Sequence, residues 1–460
     1  MHVAGGGIGG PWADRQTDLS VSREYSDPIL KIPGVTRPEL PQGALCGPDL
    51  TEALEPMEPT MSHAEPVEDF LERIGAWPDM ERSARFARVG EAFGTEYARL
   101  LERLSSRGYS QAKIRAVRDQ MYRSLETARA VWLWDNVGLP AFLRSFSALE
   151  LSPGAILDIG CGSGVLACFV ALRHPERRVV GIDINAASLA CARGLAAELA
   201  VDNVEFIQGD VRRAGKTMLK ALGRFGVITS ALTQHEIGRA FTPHPNGFST
   251  VAAIKAAFAG TKASTLGRIV EPVLAADGLL VTMERWTDSV DLARTIAGMA
   301  HLGLAAQLEM STRVSVGGFK AEIGGKETLP FIVFRRGTGA PSAERFIEWY
   351  LDARPSDVDC PGSLDQEMEI RRAVGIRSVK GWEIHVYDEY GPGITRKFVL
   401  EDAAGNSYWY MTTSRGARII VKRGSGKGSA EALIEEVESE NHRWGVPPRD
   451  IRTLDPAEAF

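Results

Sequence analysis

Three aspartates and three glycines carry the most legible chemistry in the chain. Asp158 lies in the apolar run Ala155-Ile156-Leu157-Asp158-Ile159, and Gly160, Gly162 and Gly164 follow it, alternating with the small residues Cys161 and Ser163. An apolar run this short reads as a buried parallel strand, here feeding a tight turn whose bare amides can approach a ligand. A second run, Arg178-Val179-Val180-Gly181-Ile182-Asp183-Ile184, ends on an acid about twenty residues beyond the glycines, where a carboxylate can accept ribose hydroxyls. Asp210 and Val211 close a third run, VEFIQGDV over 204–211. The glycine spacing alone also suits an ordinary strand-to-helix turn. The acid repeated at three successive strand ends is what points to a nucleotide-type ligand.

A second group follows the run Phe225 to Thr229, which reads as the fourth strand. In an open α/β sheet the carboxyl ends of central strands border the ligand crevice, so Ser230 to Glu236 should face the reaction site. His235 can serve as a general base near neutral pH, and Glu236 can orient it or contact substrate. A structural histidine at the start of a helix is the alternative these residues leave open. His244 is a lesser candidate, and Trp286, after the run Leu279 to Glu284, suits an aromatic pocket wall. The eight histidines are scattered, with no HxH or HExxH pattern, so no metal site is expected.

The elements that must position these groups alternate strand and helix. Val165 to Arg173 has helical character after the glycine turn. Leu266 to Ala276 reads as a helix stopped by Asp277-Gly278, and Ser289 to Leu302 as another. Ala305 to Val316 and Leu329 to Arg335 read as a closing antiparallel pair. The segments LDIGCGSG, VVGIDI and FIQGDV together resemble the class I S-adenosylmethionine (SAM)-dependent methyltransferases over residues 151–337, less than half of the chain. A dinucleotide-binding domain would show GxGxxG, whereas here the third glycine falls one residue early. A diphosphate beside Asp158 would also be repelled.

The resemblance implies an α/β fold with a seven-stranded Rossmann-like sheet, and SAM as the cofactor. By it, Asp158 and the turn Gly160, Cys161, Gly162, Ser163 and Gly164 hold the amino acid part of SAM. Asp183, with Ile184 beside it, takes the ribose hydroxyls. Asp210 bonds the adenine amino group while Val211 packs on the ring, and Ser230 completes the set. The expected activity is methyl transfer to a small organic acceptor, with an oxygen acceptor slightly favoured. An Asp- or Asn-Pro-Pro-Tyr motif is absent, which disfavours methylation of a base nitrogen. An RNA or protein acceptor recruited by the C-terminal region, and a non-catalytic SAM-binding scaffold, are the alternatives.

Composition bounds the remainder. The chain has 460 residues, 44% of them hydrophobic, and a formal net charge of −6, which argues against nucleic-acid binding driven by overall charge. The five cysteines form no CxxC pair and read as small buried hydrophobes of a reducing compartment. The N-terminus carries no basic-then-apolar leader and no run spans a membrane, so a cytoplasmic protein without membrane contact is expected.

Residues 1–60, with prolines at 28, 33, 38, 41, 48, 56 and 59, should be irregular. Residues 61–150 read as a helical cap, with one apolar stripe from Phe86 to Leu104 and a second, capped by Ser110, from Ile114 to Trp132. Tyr122, Trp132 and Trp134 serve either its packing or an organic substrate. Residues 338–460 read as a linker plus a small C-terminal α+β module, with strands at Trp382–Tyr387, Lys397–Glu401, Tyr408–Thr412 and Ala417–Lys422 and a helix at Ser429–Glu440. Its Arg415, Arg418, Lys422, Arg423 and Lys427 stand near Tyr408, Trp409 and Tyr410, a mixture suited to single-stranded nucleic acid. Solvated charge on a docked module, or on one that joins a homodimer, is the plainer reading.

Overall fold

The computed structural model describes residues 66–76, 87, 89–91, 94–95, 121–134, 138–213, 215–233, 249–284, 289–317, 326–337, 339–356, 364–365, 367–368, 377–388, 391–413, 418–426, 428–443 and 447–455. The expected irregular segment 1–60, the Phe86–Leu104 stripe apart from a few positions, and the Ser110 cap lie outside them.

Short apolar runs form the central sheet, as the burial of parallel strands requires. Its members are β1 (Ala155–Ile159), β2 (Val179–Asp183), β3 (Val204–Gln208), β4 (Phe225–Ala231), β5 (Leu274–Met283), β6 (Leu304–Ala306), β7 (Thr312–Gly317) and β8 (Lys326–Arg336). The order is β3-β2-β1-β4-β5-β8-β6, with β7 also paired to β8. β1 to β5 pair in parallel, and β8 runs antiparallel to β5, β6 and β7. The sheet therefore has eight strands where seven were expected. The run Ala305 to Val316 is broken by a 3₁₀ turn at Leu308–Met310. Beside that turn the Ser311 hydroxyl donates to the Gln307 carbonyl at 2.6 Å and accepts the Val333 amide at 3.1 Å.

Helices α1 (Val67–Arg73), α2 (Leu125–Trp134), α3 (Gly138–Ser147), α4 (Val165–Arg173) and α5 (Ala186–Glu198) share one core with Ile156, Val227 and Val281. Seven consecutive residues of α4, Val165 to Ala171, are buried, because α1 covers the side turned away from the sheet; Phe70 lies 5.0 Å from Phe169. An apolar helix surface buried all round requires such a cover. On the opposite face α6 (Gly215–Leu222), α7 (Thr250–Gly260), α8 (Thr265–Val270), α9 (Ser289–Ala300) and α10 (Ala343–Asp352) form a second core with Leu157, Ile228 and Leu280. The helix expected over Leu266 to Ala276 ends at Val270, and β5 already begins at Leu274.

Phe346, Trp349 and Tyr350 of α10 and the buried Leu364 extend this second core past residue 337. Arg313 of β7, 2% exposed, anchors that extension. Its guanidinium donates to both Asp365 carboxylate oxygens at 3.1 and 2.9 Å and to the Tyr350 carbonyl at 2.7 Å, and lies 3.8 Å from the Tyr350 ring centroid.

In the C-terminal region β9 (Arg377–Asp388), β10 (Gly391–Glu401), β11 (Asn406–Thr413), β12 (Arg418–Ser425) and β13 (Ile451–Leu454) make a five-stranded sheet of order β12-β11-β10-β9-β13 with helix α11 (Ser429–Arg443). The fifth strand was not expected. Tyr408, Trp409 and Tyr410 form no common stacking platform. Period-two alternation sends Tyr410 against Phe398 and Trp409 into the core shared with α11, while the Tyr408 hydroxyl donates to Asp402 at 2.8 Å.

Removing one partner of the Arg313–Asp365 pair leaves a buried charge uncompensated. Asp365→Ala is expected to cost about 3–5 kcal/mol in urea unfolding, whereas Arg313→Met combined with Asp365→Leu should cost far less. Equal losses would assign the effect to packing instead.

Candidate functional site

The carboxyl ends of β1, β2 and β4 meet at the glycine turn. The amides of Gly160 and Cys161 both donate to the Ile182 carbonyl, at 2.7 and 3.1 Å. The Gly162 amide donates to Asp183 Oδ2 at 2.9 Å, and Asp183 Oδ1 accepts the Asn185 amide at 2.8 Å. Gly160 has φ +74°, and a Cβ there would sit 2.4 Å from the Thr233 side chain. Gly162 has φ +52°, and among the described residues a Cβ there would meet nothing within 4 Å, so this peptide faces space that they leave open. Gly164 precedes α4 as its N-terminal residue.

Asp158 is buried, and its Oδ1 accepts the Thr229 hydroxyl at 2.8 Å. Burial pushes the Asp158 carboxyl up to about 7; the Thr229 hydroxyl opposes the shift and the Asp183 charge adds to it. A raised carboxyl stabilises the folded chain below its ordinary titration range, and that contribution is lost as pH rises through about 7. A cation placed beside Asp158 would reverse the shift. Burial, with Asp158 and Asp183 nearby, pushes the Cys161 thiol well up, so it stays protonated and is no nucleophile at neutral pH.

Ser163 is buried, and its hydroxyl accepts Trp132 Nε1–H at 2.8 Å, which fastens the turn to α2. Trp132 thus braces the site from behind. Ile184, at the mouth of β2, is 54% exposed, an unusual setting for a large aliphatic side chain. Asp210 is held by its own turn: Arg212 donates from Nε to Oδ1 and from Nη2 to Oδ2, both at 3.0 Å, and holds the carboxyl below its usual range. Val211 is buried in the core on the α6 side. Val211, expected to pack on the adenine ring, is thus turned into that core, whereas Ile184, expected beside the ribose carboxylate, presents exposed apolar surface.

Ser230 is fully buried, and its hydroxyl has no hydrogen-bond partner among the described residues. It pairs in register with Thr282 of β5. His235, Glu236, His244 and Trp286 lie outside the described residues. Three further residues border this end of the sheet without having been singled out: Thr229 at Asp158, Thr233 at Gly160, and Glu284, whose Oε1 accepts the Thr233 amide at 2.6 Å. Glu284 ends an apolar run as the aspartates do, and that pattern was the signal available for it. Among the described residues no cluster of His, Cys, Asp and Glu could hold a metal, and no helix is long and apolar enough to cross a membrane.

Residues 152–286 match the family described as "Methyltransferase domain". Ribosomal RNA small subunit methyltransferase G of Acinetobacter baylyi is 36% identical over 89 residues, covering 19% of this chain and 41% of that protein. The protein of the same name from Acinetobacter baumannii (strain ATCC 17978) is 34% identical over 118 residues, covering 25% of this chain and 54% of that protein. A SAM dependent methyltransferase from Aquifex aeolicus, a solved structure, aligns with TM-score 0.30 at 12% identity over 49% of this chain and 98% of that one. The chain spans about half or less of the length of these two curated relatives.

Residues 152–286 are therefore similar to a methyltransferase domain, on a central sheet of Rossmann-like strand order.

The two glycines separate fold from ligand. Gly160→Ala must displace Thr233 and should lower thermal stability. Gly162→Ala meets no atom and should cost only about 1–2 kcal/mol of backbone strain, yet weaken SAM binding at least about tenfold if the open space is cofactor space. Calorimetry showing wild-type SAM affinity in Gly162→Ala would place the cofactor elsewhere.

Proposed function

We propose that this chain transfers the methyl group of SAM to an RNA. The observation that carries the cofactor half is the meeting of Gly162, Asp183 and Ile184 at one mouth: an open peptide, a carboxylate and an exposed aliphatic surface. Those groups suit, respectively, close approach of the ligand, ribose hydroxyls and the face of a purine. Asp158, buried behind the turn, supplies the negative charge that a cationic amino acid moiety requires. The RNA half is supported by the names of the relatives, which act on ribosomal RNA.

SAM supplies an electrophilic methyl carbon on a sulfonium, so the protein's task is alignment and exclusion of water. Asp183 fixes the turn and presents its carboxylate to the ribose. Ile184 covers the purine, and the Ser230 hydroxyl offers a buried polar contact at the end of β4. His235 is the proposed general base for a hydroxyl acceptor, with Glu236 orienting it. For such an acceptor His235→Ala should lose about a hundredfold or more in turnover with SAM binding intact. With a net charge of −6, RNA must be taken up by a local surface of the chain.

The deciding experiment incubates the full chain with methyl-tritiated SAM and, separately, total RNA, total protein and a small-molecule extract. Label in RNA supports the proposal. Label confined to the small-molecule fraction would replace RNA with the small organic acceptor expected from the sequence, and label in protein would replace it with a protein. SAM binding without any transfer would leave a binding scaffold.

Because Asp158 carries its proton up to about pH 7, a bound cation must expel that proton below this pH. SAM affinity should therefore fall as pH drops from 8 to 6, by up to about tenfold per unit, and Asp158→Asn should flatten the dependence. A wild-type affinity independent of pH over this range would remove Asp158 from the cofactor contact.

A further inference from the structure

We infer that Glu284 is a positioning residue for the SAM site, acting through Thr233 on the glycine turn; the inference rests on the proposed cofactor site and goes beyond it. Where the chain leaves β4, Leu232 takes φ +55°, one of two non-glycine residues in the left-handed region among those described. A leucine there is strained, and the surroundings must hold it. Two bonds from β5 do so. The Leu232 amide donates to the Met283 carbonyl at 2.8 Å, and the Thr233 amide donates to Glu284 Oε1 at 2.6 Å. The Thr233 hydroxyl donates back to the Ala231 carbonyl at 2.9 Å, which closes the turn.

The consequence reaches the cofactor side. Thr233 is the residue whose side chain fills the place a Cβ on Gly160 would take, 2.4 Å away. Gly160 is in turn locked to β2 through the Ile182 carbonyl. The chain of contacts therefore runs from Glu284 just after β5, through Thr233 after β4, to Gly160 after β1 and on to β2, across the edge where SAM is proposed to lie. Glu284 is 1% exposed, and burying a carboxylate is unfavourable unless its bonds repay it. A neutral packing residue would fill the space but could not accept the Thr233 amide.

A comparable clasp at a second place provides the control. Glu367 is buried, accepts the Ser249 hydroxyl at 3.0 Å and also accepts the Thr250 amide at the start of α7. It holds a backbone amide with a buried carboxylate, as Glu284 does, but no described contact links it to the glycine turn.

The test measures SAM binding by calorimetry and amide hydrogen exchange by mass spectrometry on the full chain carrying Glu284→Ala, Glu284→Gln or Glu367→Ala. Glu284→Ala should weaken SAM binding about tenfold, the loss expected for one hydrogen bond to a charged group, and speed exchange at residues 231–233. Glu284→Gln, whose amide oxygen still accepts the Thr233 amide, should return SAM affinity to within about threefold of wild type. Glu367→Ala should speed exchange at the start of α7 and leave SAM affinity within about twofold. If Glu284→Ala does not fold, the glutamine variant decides: more than about tenfold loss of SAM affinity overturns the inference. Wild-type affinity in Glu284→Ala, or an equal loss in Glu367→Ala, also overturns it. Absence of SAM binding by the wild type would refute the cofactor reading itself, which keeps the two failures apart.

Discussion

The site depends on one constraint: beyond the bond from the Gly164 amide to the Cys161 carbonyl at 2.8 Å, the turn after β1 is held by β2. Two consecutive amides, Gly160 and Cys161, converge on the Ile182 carbonyl, and the next, Gly162, goes to the Asp183 carboxylate. Three orphan donors at a strand-to-helix junction would be costly if buried without partners. The register of the β1–β2 pair supplies those partners, because Ile159 lies opposite Ile182 and the turn begins one residue later. A slip of one residue would turn every buried side chain of β1 to the other face and separate the turn from Asp183. The position of the Asp183 carboxylate is thus fixed by backbone pairing before any ligand arrives.

Behind that lock stands a layered support. β1 is apolar on both faces because helices cover both, and α4, apolar around its circumference, is itself covered by α1. The N-terminal helices therefore complete the burial of the helix that follows the glycine turn. Trp132 adds a polar tie to the apolar one: its indole N–H needs an acceptor once buried, and Ser163 provides it within the turn. The cap and the glycine turn are thus joined by this hydrogen bond as well as by packing.

Legibility in the sequence followed the range of the interaction. The first four strands and the helix after the turn were readable because a parallel strand covered on both faces is a continuous apolar run, and the acids at three strand ends break that run visibly. The break at Leu308–Met310 was not readable, since it depends on Ser311 bonding to Val333, a residue of another strand. Arg313 looks like a surface residue in sequence; it is buried because Asp365 and Tyr350 come to it from far along the chain. The strand Ile451–Leu454 carries Arg452 and Thr453 and is short, so only its pairing with β9 defines it. Asp158, Asp183 and the glycines, which come together at one end of the sheet, were legible from local pattern. Thr229 and Thr233 were not singled out, because what they touch lies across the sheet. The grouping of Tyr408, Trp409 and Tyr410 was legible, but strand alternation divides it between two cores.

Electrostatics gives the arrangement its direction. Asp158, Asp183 and Glu284 bring carboxylates to neighbouring strand ends, and two of them, Asp158 and Glu284, are almost wholly removed from water. Asp183 accepts two backbone amides, and its charge opposes ionisation of Asp158. A protonated Asp158 is the resolution available to the protein alone. A cationic ligand offers another, in which the proton leaves and the carboxylate remains, so part of the binding free energy comes from relief of a conflict built into the folded chain. Anionic ligands such as a dinucleotide diphosphate would deepen that conflict.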